Sequence, residues 1–137
     1  MRKNGFTLVE LLAVIAILAV IIVIFIPSAL DVLNENETKI YKTKEKILVN
    51  AASDYVVSNR NFNLPTEITP NVYITSNTLV DNNYMTKILD TTSGNECIGF
   101  VRITVNSVSG YNYDPCIICE NYTTENTFCT TTNYDSI

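Results

Sequence analysis

The sequence predicts an α+β protein in which one long N-terminal helix packs on a small antiparallel β-sheet. Three observations lead to this fold class. An uninterrupted apolar run lies near the N-terminus, a second stretch repeats its apolar residues with the helical period, and a later pair of alternating segments is joined by a glycine-containing loop. Helical and strand periods thus occupy separate parts of the chain, as is typical of α+β domains.

The first half of the predicted helix is apolar on every side. Residues 11–26 are sixteen consecutive apolar residues, and the segment from Phe6 to the end of this run is 21 residues long. A helix of that length covers ~31 Å, which is close to the ~30 Å hydrocarbon thickness of a bilayer. We therefore expect a membrane-spanning helix within residues 6–30. Pro27 follows the run, and its missing N–H and its ring predict a kink there.

A single carboxylate, Glu10, lies near the start of the apolar helix. An ionised carboxylate within hydrocarbon costs on the order of 2.5–3.5 kcal/mol on insertion scales, so it needs a partner. The residues from Thr7 to Glu10 also fit the S/T-x-x-E pattern of a capping box. Capping and pairing with another group are compatible, and both interpretations stay open.

The first ten residues carry a closer resemblance. The run Met1-Arg2-Lys3-Asn4-Gly5-Phe6-Thr7-Leu8-Val9-Glu10 resembles the signal of type IV prepilins and pseudopilins. The resemblance implies that a membrane-embedded prepilin peptidase removes residues 1–5 by cutting after Gly5 and methylates the new N-terminus at Phe6. It also implies that Glu10 pairs with the N-terminal amine of a neighbouring subunit.

The same resemblance implies a structural protein and not an enzyme. Its expected partners are the peptidase and methyltransferase, other copies of the chain and related pilins, the inner-membrane assembly machinery, and the lipid bilayer before assembly. A second resemblance, to pilins of Gram-positive bacteria, rests on degenerate motifs between residues 79 and 122, among them Gly99-Phe100-Val101 and Cys119-Glu120-Asn121-Tyr122.

A plain signal anchor that carries an exported binding domain is the first alternative. An ordinary secretory signal peptide is cut beyond its apolar run at an A-x-A-like site. This sequence continues past the run without such a site, and Glu10 interrupts the beginning of the run. These two features favour the prepilin interpretation.

Composition and charge limit the function further. The 137 residues have room for one domain and an anchor, and the net charge of −5 becomes −7 when Arg2 and Lys3 leave with the leader. We expect no direct nucleic-acid binding, because that needs clustered Lys and Arg. The chain has no His, which excludes His-dependent catalysis and His-ligated metal sites. We expect neither a metal nor a cofactor. Arg2 and Lys3 predict a cytoplasmic N-terminus and an exported head. The resemblance to prepilins implies that this head lies on a cell-surface filament after assembly.

The second half of the helix is amphipathic and extends to about Asn59. Glu35 and Lys39 are spaced to form an i,i+4 ion pair. The apolar residues that recur on one face are Ile40 with Tyr41, Ile47 with Leu48, Ala51 with Ala52, and Tyr55 with Val56. This apolar face must be buried against another element, and we expect the sheet of the head to pack against residues 47–56. Residues 31–137 would thus form the amphipathic half of the helix and the head.

The head is predicted to contain three strands and one helical segment. A short strand covers residues 71–75, and a helical turn capped by Ser76 or Asn77 reaches Ile88. Residues 98–106 and 111–119 alternate as a hairpin around a loop that ends at Gly110. Pro115 indicates an edge strand or a bulge.

Four cysteines, Cys97, Cys116, Cys119 and Cys129, predict two disulfides in an exported domain. A hairpin turn centred near residues 108 and 109 places Cys97 opposite Cys119 and leaves Cys116 for Cys129, although a one-residue slip would change this pairing. The motif Cys116-Ile117-Ile118-Cys119 leaves a second alternative, a membrane-tethered thiol oxidoreductase. A redox CxxC normally opens a helix, whereas this one follows a strand pattern, and a zinc ribbon would need a second CxxC.

Overall fold

The computed structural model describes residues 5–108 and 110–137, except for the side chains of residues 27–31. Its elements are α1 (Leu8–Ser58), β1 (Asn71–Thr75), α2 (Ser76–Asp81), β2 (Ile98–Asn106), β3 (Gly110–Ile118) and α3 (Thr131–Asp135). The chain divides into two compact units, Met1–Lys39 and Ile40–Ile137. The predicted α+β fold, a long helix packed on a small antiparallel sheet, is confirmed.

The first unit contains the N-terminal part of α1. The Glu35–Lys39 ion pair predicted one helical turn apart is present, with 2.8 Å between carboxylate and ammonium. α1 continues through Pro27, and the kink predicted there stays a prediction. Arg2 and Lys3 also lie outside the described residues.

The second unit is built on a three-stranded antiparallel sheet in the order β1-β2-β3. The bounds of β1 and β2 are those predicted, while β3 begins and ends one residue earlier than expected. Pro115 lies on the edge strand β3 opposite Val101, which agrees with its missing N–H. Gly110 closes the hairpin opposite Asn106 with a φ of +91°, a conformation that favours glycine.

One face of the sheet packs on the C-terminal part of α1. The buried residues shared by helix and sheet are Leu48, Ala51, Ala52, Ile74, Val101, Ile103 and Ile117. Tyr55 and Val56 border this core, as predicted. The prediction was wrong for Ile47, which is 50% exposed. The helix buries one arc of its surface, and a step of about 100° from Leu48 carries Ile47 out of it.

The opposite face of the sheet is covered by the C-terminal segment. Phe100 and Cys116 from the sheet are buried with Phe128 and Cys129 from that segment, and Tyr134 of α3 packs against them. Arg102 lies over the ring of Phe128 at 3.9 Å. The sequence indicated only Phe128 and Cys129 as core residues in this region and did not predict α3.

The helical segment after β1 is shorter than predicted. Its N-cap is Thr75, whose side chain accepts a hydrogen bond from the Thr78 N–H, and not Ser76 or Asn77. The helix ends at Asp81 because Asn82 caps it and Asn83 takes a φ of 62°. Asn is among the few residues that adopt this left-handed conformation readily, so the chain turns before Tyr84 and Ile88.

Candidate functional site

The segment around Gly5 is open to other molecules within the described part of the chain. A Cβ atom added to Gly5 would meet nothing within 4 Å. The side chain of Phe6 is 81% exposed, and neither residue belongs to α1. An exposed peptide bond outside the helix is what a peptidase needs in order to approach the backbone between Gly5 and Phe6.

Thr7 and Glu10 form a reciprocal set of hydrogen bonds at the start of α1. The Thr7 N–H and hydroxyl both donate to the Glu10 carboxylate, each at 3.0 Å. The Glu10 N–H donates to the Thr7 hydroxyl at 3.3 Å. This is the capping box that the sequence suggests, and it explains why the helix begins at Leu8. It also holds the carboxylate at the first turn of α1.

The helix that follows exposes an apolar surface among the residues that the structure describes. Residues 8–26 form one helix long and apolar enough to cross a membrane, and the large side chains along it are exposed on all sides. Apolar area removed from water is worth roughly 25 cal/mol per Å², so this surface favours a lipid or protein environment. One such N-terminal helix fits a single-pass membrane anchor.

Glu45 is a buried carboxylate that the sequence reasoning missed. It is 6% exposed and accepts hydrogen bonds from the hydroxyls of Tyr122 and Thr124, both at 2.7 Å. Burial, together with the bond to Glu45, raises the pKa of the Tyr122 phenol. Tyr122 also stacks on Tyr41, with ring centroids 4.1 Å apart. Helical spacing could have predicted the burial of Glu45, because this residue lies four positions after Tyr41 and three before Leu48, which are both buried on the same face of α1.

The structure contains two disulfides, as predicted, and they join Cys97 to Cys119 and Cys116 to Cys129. The hairpin register favours these pairs, since Ile98 opposes Ile118 and the next position outward brings Cys97 to Cys119. Cys116 and Cys119 therefore belong to different disulfides. In a redox CxxC the two cysteines of the motif form one disulfide with each other, so this pairing does not support the oxidoreductase alternative.

Asp90 lies beside the Cys97–Cys119 disulfide, and the three side chains bring ligand-type atoms within 4.8 Å of one another. The two sulfur atoms are bonded to each other, so neither is a thiolate. The Asp90 carboxylate accepts hydrogen bonds from the backbone N–H groups of Thr92, Ser93 and Asn121. Those bonds, those of Ser93 and Thr92 foremost, lower the Asp90 pKa to about 2. The group organises a loop, and its chemistry is not that of a metal centre.

The comparisons with known proteins bear on the N-terminus. Residues 1–26 match the family model described as the prokaryotic N-terminal methylation motif. The matched residues include Gly5, Phe6 and Glu10, and they end at Ile26, the last residue of the apolar part of α1. Searches of curated proteins and of solved structures return no match.

Proposed function

We propose that this chain, whose N-terminal methylation motif supports its assignment to the type IV pilin and pseudopilin family, is a structural subunit of a pilus-like filament. The motif supports a substrate of prepilin peptidase and belongs to a family that is structural and not enzymatic. In the proposal, the peptidase cuts after Gly5 and methylates Phe6. The subunit then polymerises through the apolar half of α1.

The observation that carries the proposal is Glu10 at the start of an exposed apolar helix. Cleavage after Gly5 would create an α-amino group at Phe6, and N-methylation would keep its positive charge. An ammonium and a carboxylate neutralise each other inside an apolar bundle, where either one alone would be a desolvated charge. In the separate subunit, the hydrogen bonds from Thr7 partly satisfy the carboxylate.

Each part of the chain then has its own role in the filament. Residues 1–5 are the leader, residues 6–30 span the membrane and later form the filament core, and residues 31–137 carry the disulfide-bonded head outside the membrane. Arg2 and Lys3 keep the N-terminus in the cytoplasm. The lipid bilayer surrounds the helix before assembly, and the inner-membrane machinery and other copies receive it during assembly.

Substituting Glu10 tests the proposal against a plain signal anchor. Glu10→Gln keeps an amide that can cap the helix but removes the charge, and Glu10→Val makes the helix more apolar. Both variants should be cut, methylated and inserted, and both should assemble poorly. Breaking one partner of a buried ion pair costs on the order of 3–5 kcal/mol, against about 1 kcal/mol for a cap.

The measurement compares filaments sheared from cells with the processed pool left in the membrane, and mass spectrometry reads the N-terminus. Glu35→Gln is the control, because it removes an exposed carboxylate of the same helix and should not change the filament yield. Gly5→Leu should leave an uncut chain and no filaments. A wild-type filament yield from Glu10→Gln would show that Glu10 only caps the helix. A mature chain that does not begin at Phe6 would refute the proposal.

A further inference from the structure

A cavity of about 340 Å³ opens where α1 ends and the chain turns toward β1. Three aromatic or aliphatic side chains and three asparagines line it: Tyr55, Phe62, Val72, Asn59, Asn61 and Asn63. Small-molecule sites commonly occupy ~300–1,000 Å³ and combine apolar walls with a few polar groups that orient the ligand. The cavity has this size and this composition.

Contacts within the head hold the walls of the cavity in place. The rings of Tyr55 and Phe62 stand nearly perpendicular, at 83°, with their centroids 6.0 Å apart. The Phe62 N–H donates a hydrogen bond to the Asn59 carbonyl at 3.0 Å, and Pro65, three residues later, is buried. These contacts order the segment without a ligand. A preformed site avoids the loss of entropy that ordering a loop during binding would cause.

The three asparagines differ in what they contribute to the fold. The Asn59 side-chain amide donates to the Tyr55 carbonyl at 3.0 Å and so stabilises the end of α1. Asn61 and Asn63 are exposed, and within the described part of the chain their side-chain amides make no hydrogen bond. Since the helix ends without their help, both amides are available to another molecule. Each amide offers donors as well as an acceptor.

The charge of the cavity indicates the class of this molecule. None of the described residues that line the cavity is charged, and Arg60 in the same segment is exposed outside the walls. A neutral ligand is favoured, because an ion would lose hydration there without meeting an opposite charge. Hydroxyl groups both donate and accept hydrogen bonds, as amides do. The C–H groups of a sugar ring suit aromatic walls, whose faces are negative.

We infer that this cavity binds a neutral saccharide unit. Asn61 and Asn63 form hydrogen bonds with its hydroxyl groups, and Tyr55 and Phe62 contact the C–H groups of its ring. The chain thus recognises a glycan in addition to its structural role. The inference does not depend on polymerisation, so its failure would leave the proposed function unchanged.

Saturation-transfer NMR on the full chain tests the site. The chain is kept in deuterated dodecylphosphocholine, because maltoside detergents carry sugars that would compete. The neutral probes are the methyl glycosides of glucose, galactose and mannose, and N-acetylglucosamine, while glucuronate and glucosamine are the charged probes. At least one neutral probe should receive saturation on its ring protons. Its dissociation constant should be on the order of 1 mM, since the contacts are few and the ligand is small.

A double variant removes the two amides that carry the inference. Asn61→Ala combined with Asn63→Ala should weaken binding of the neutral probe at least tenfold through the lost hydrogen bonds. Its thermal unfolding should match that of the wild-type chain, because neither amide has a partner in the described part of the chain. If the double variant is less stable, the two single variants replace it, and each should weaken binding roughly threefold or more. Asn36→Ala, at an exposed position of α1 outside the cavity, is the matched control and should bind as the wild type does.

Three results would overturn the inference. The first is that no neutral probe binds to the wild-type chain. The second is that the chain without the two amides binds the neutral probe as tightly as the wild type does. The third is tighter binding of glucuronate or glucosamine than of every neutral probe, because the cavity would then select an ion.

Discussion

The two halves of α1 differ in where their apolar side chains find partners. In the N-terminal half Leu18 is 51% exposed and is surrounded along the chain by equally exposed apolar residues. In the C-terminal half Leu48 is fully buried, and mostly polar residues occupy the other faces of the helix. The amphipathic half is satisfied by its own head. The uniformly apolar half presents apolar residues on every face, so we expect it to find partners in lipid or in other subunits.

Because of this difference, we expect the unfolding of the head to depend on other residues than membrane insertion and assembly do. The head of residues 40–137 has a core, two disulfides and a buried polar network of its own. Changes there should alter unfolding and leave membrane insertion intact. Changes in residues 8–26 should alter insertion or assembly and leave unfolding of the head intact.

Removing one disulfide should have the largest effect on the head. Cys116→Ala combined with Cys129→Ala frees the C-terminal segment that covers one face of the sheet. We expect the free energy of unfolding to fall by roughly 2–5 kcal/mol, as for native disulfides of small exported domains. Denaturant unfolding of the processed chain in detergent measures this loss. Unchanged unfolding would mean that the segment contributes nothing to the fold.

A matched leucine pair compares the two halves of α1 most directly. Leu48→Ala leaves a cavity between helix and sheet and should cost roughly 2–5 kcal/mol of stability. Leu18→Ala makes the same chemical change at an exposed position and should alter unfolding of the head by less than about 0.5 kcal/mol. The same unfolding assay serves both variants. Comparable losses would show that the two halves of α1 unfold as one cooperative unit.

The buried carboxylate of the head should matter less than its core. Glu45→Gln weakens two charge-assisted hydrogen bonds, and we expect a loss of roughly 1–3 kcal/mol. A double-mutant cycle with Tyr122→Phe should give less than the sum of the single effects, because both changes act on the same hydrogen bond. Glu67→Gln, at an exposed position, is the control. Strict additivity of the two single effects would refute the coupling.

The smallest expected effect concerns acid. The Asp90 pKa is lowered from 3.8 to about 2 by backbone N–H donors, Ser93 foremost. A lowered folded-state pKa adds stability above the unfolded value, and this contribution is lost as the pH falls from about 4 to about 2. In the Asp90→Asn variant, the melting temperature should therefore change less with pH between about 4 and about 2 than in the wild-type chain. Exposed Asp54→Asn should retain the wild-type slope, and an equally steep slope in Asp90→Asn would exclude Asp90 as its source.

Much of the head could be predicted because its signals are local. The alternation in β1 and β2 gave their bounds, and the turn at Gly110 set a register that brings Cys97 to Cys119. The end of α2 was misjudged because the apolar spacing through Tyr84 and Ile88 suggested a longer helix. The conformation of Asn83 ended it earlier. Apolar spacing predicts a helix but does not fix the residue at which the helix stops.

The sequence by itself determined the start of α1, since Thr7 and Glu10 are near neighbours that cap the helix and the apolar run that follows predicts a helix from its own composition. Only the tertiary structure decided the fate of Glu45, whose partners Tyr122 and Thr124 are 77 and 79 residues away. Only it decided that the C-terminal segment covers the second face of the sheet. Helical and strand periods arise from neighbouring residues, whereas the burial of a polar group depends on which distant residues meet it.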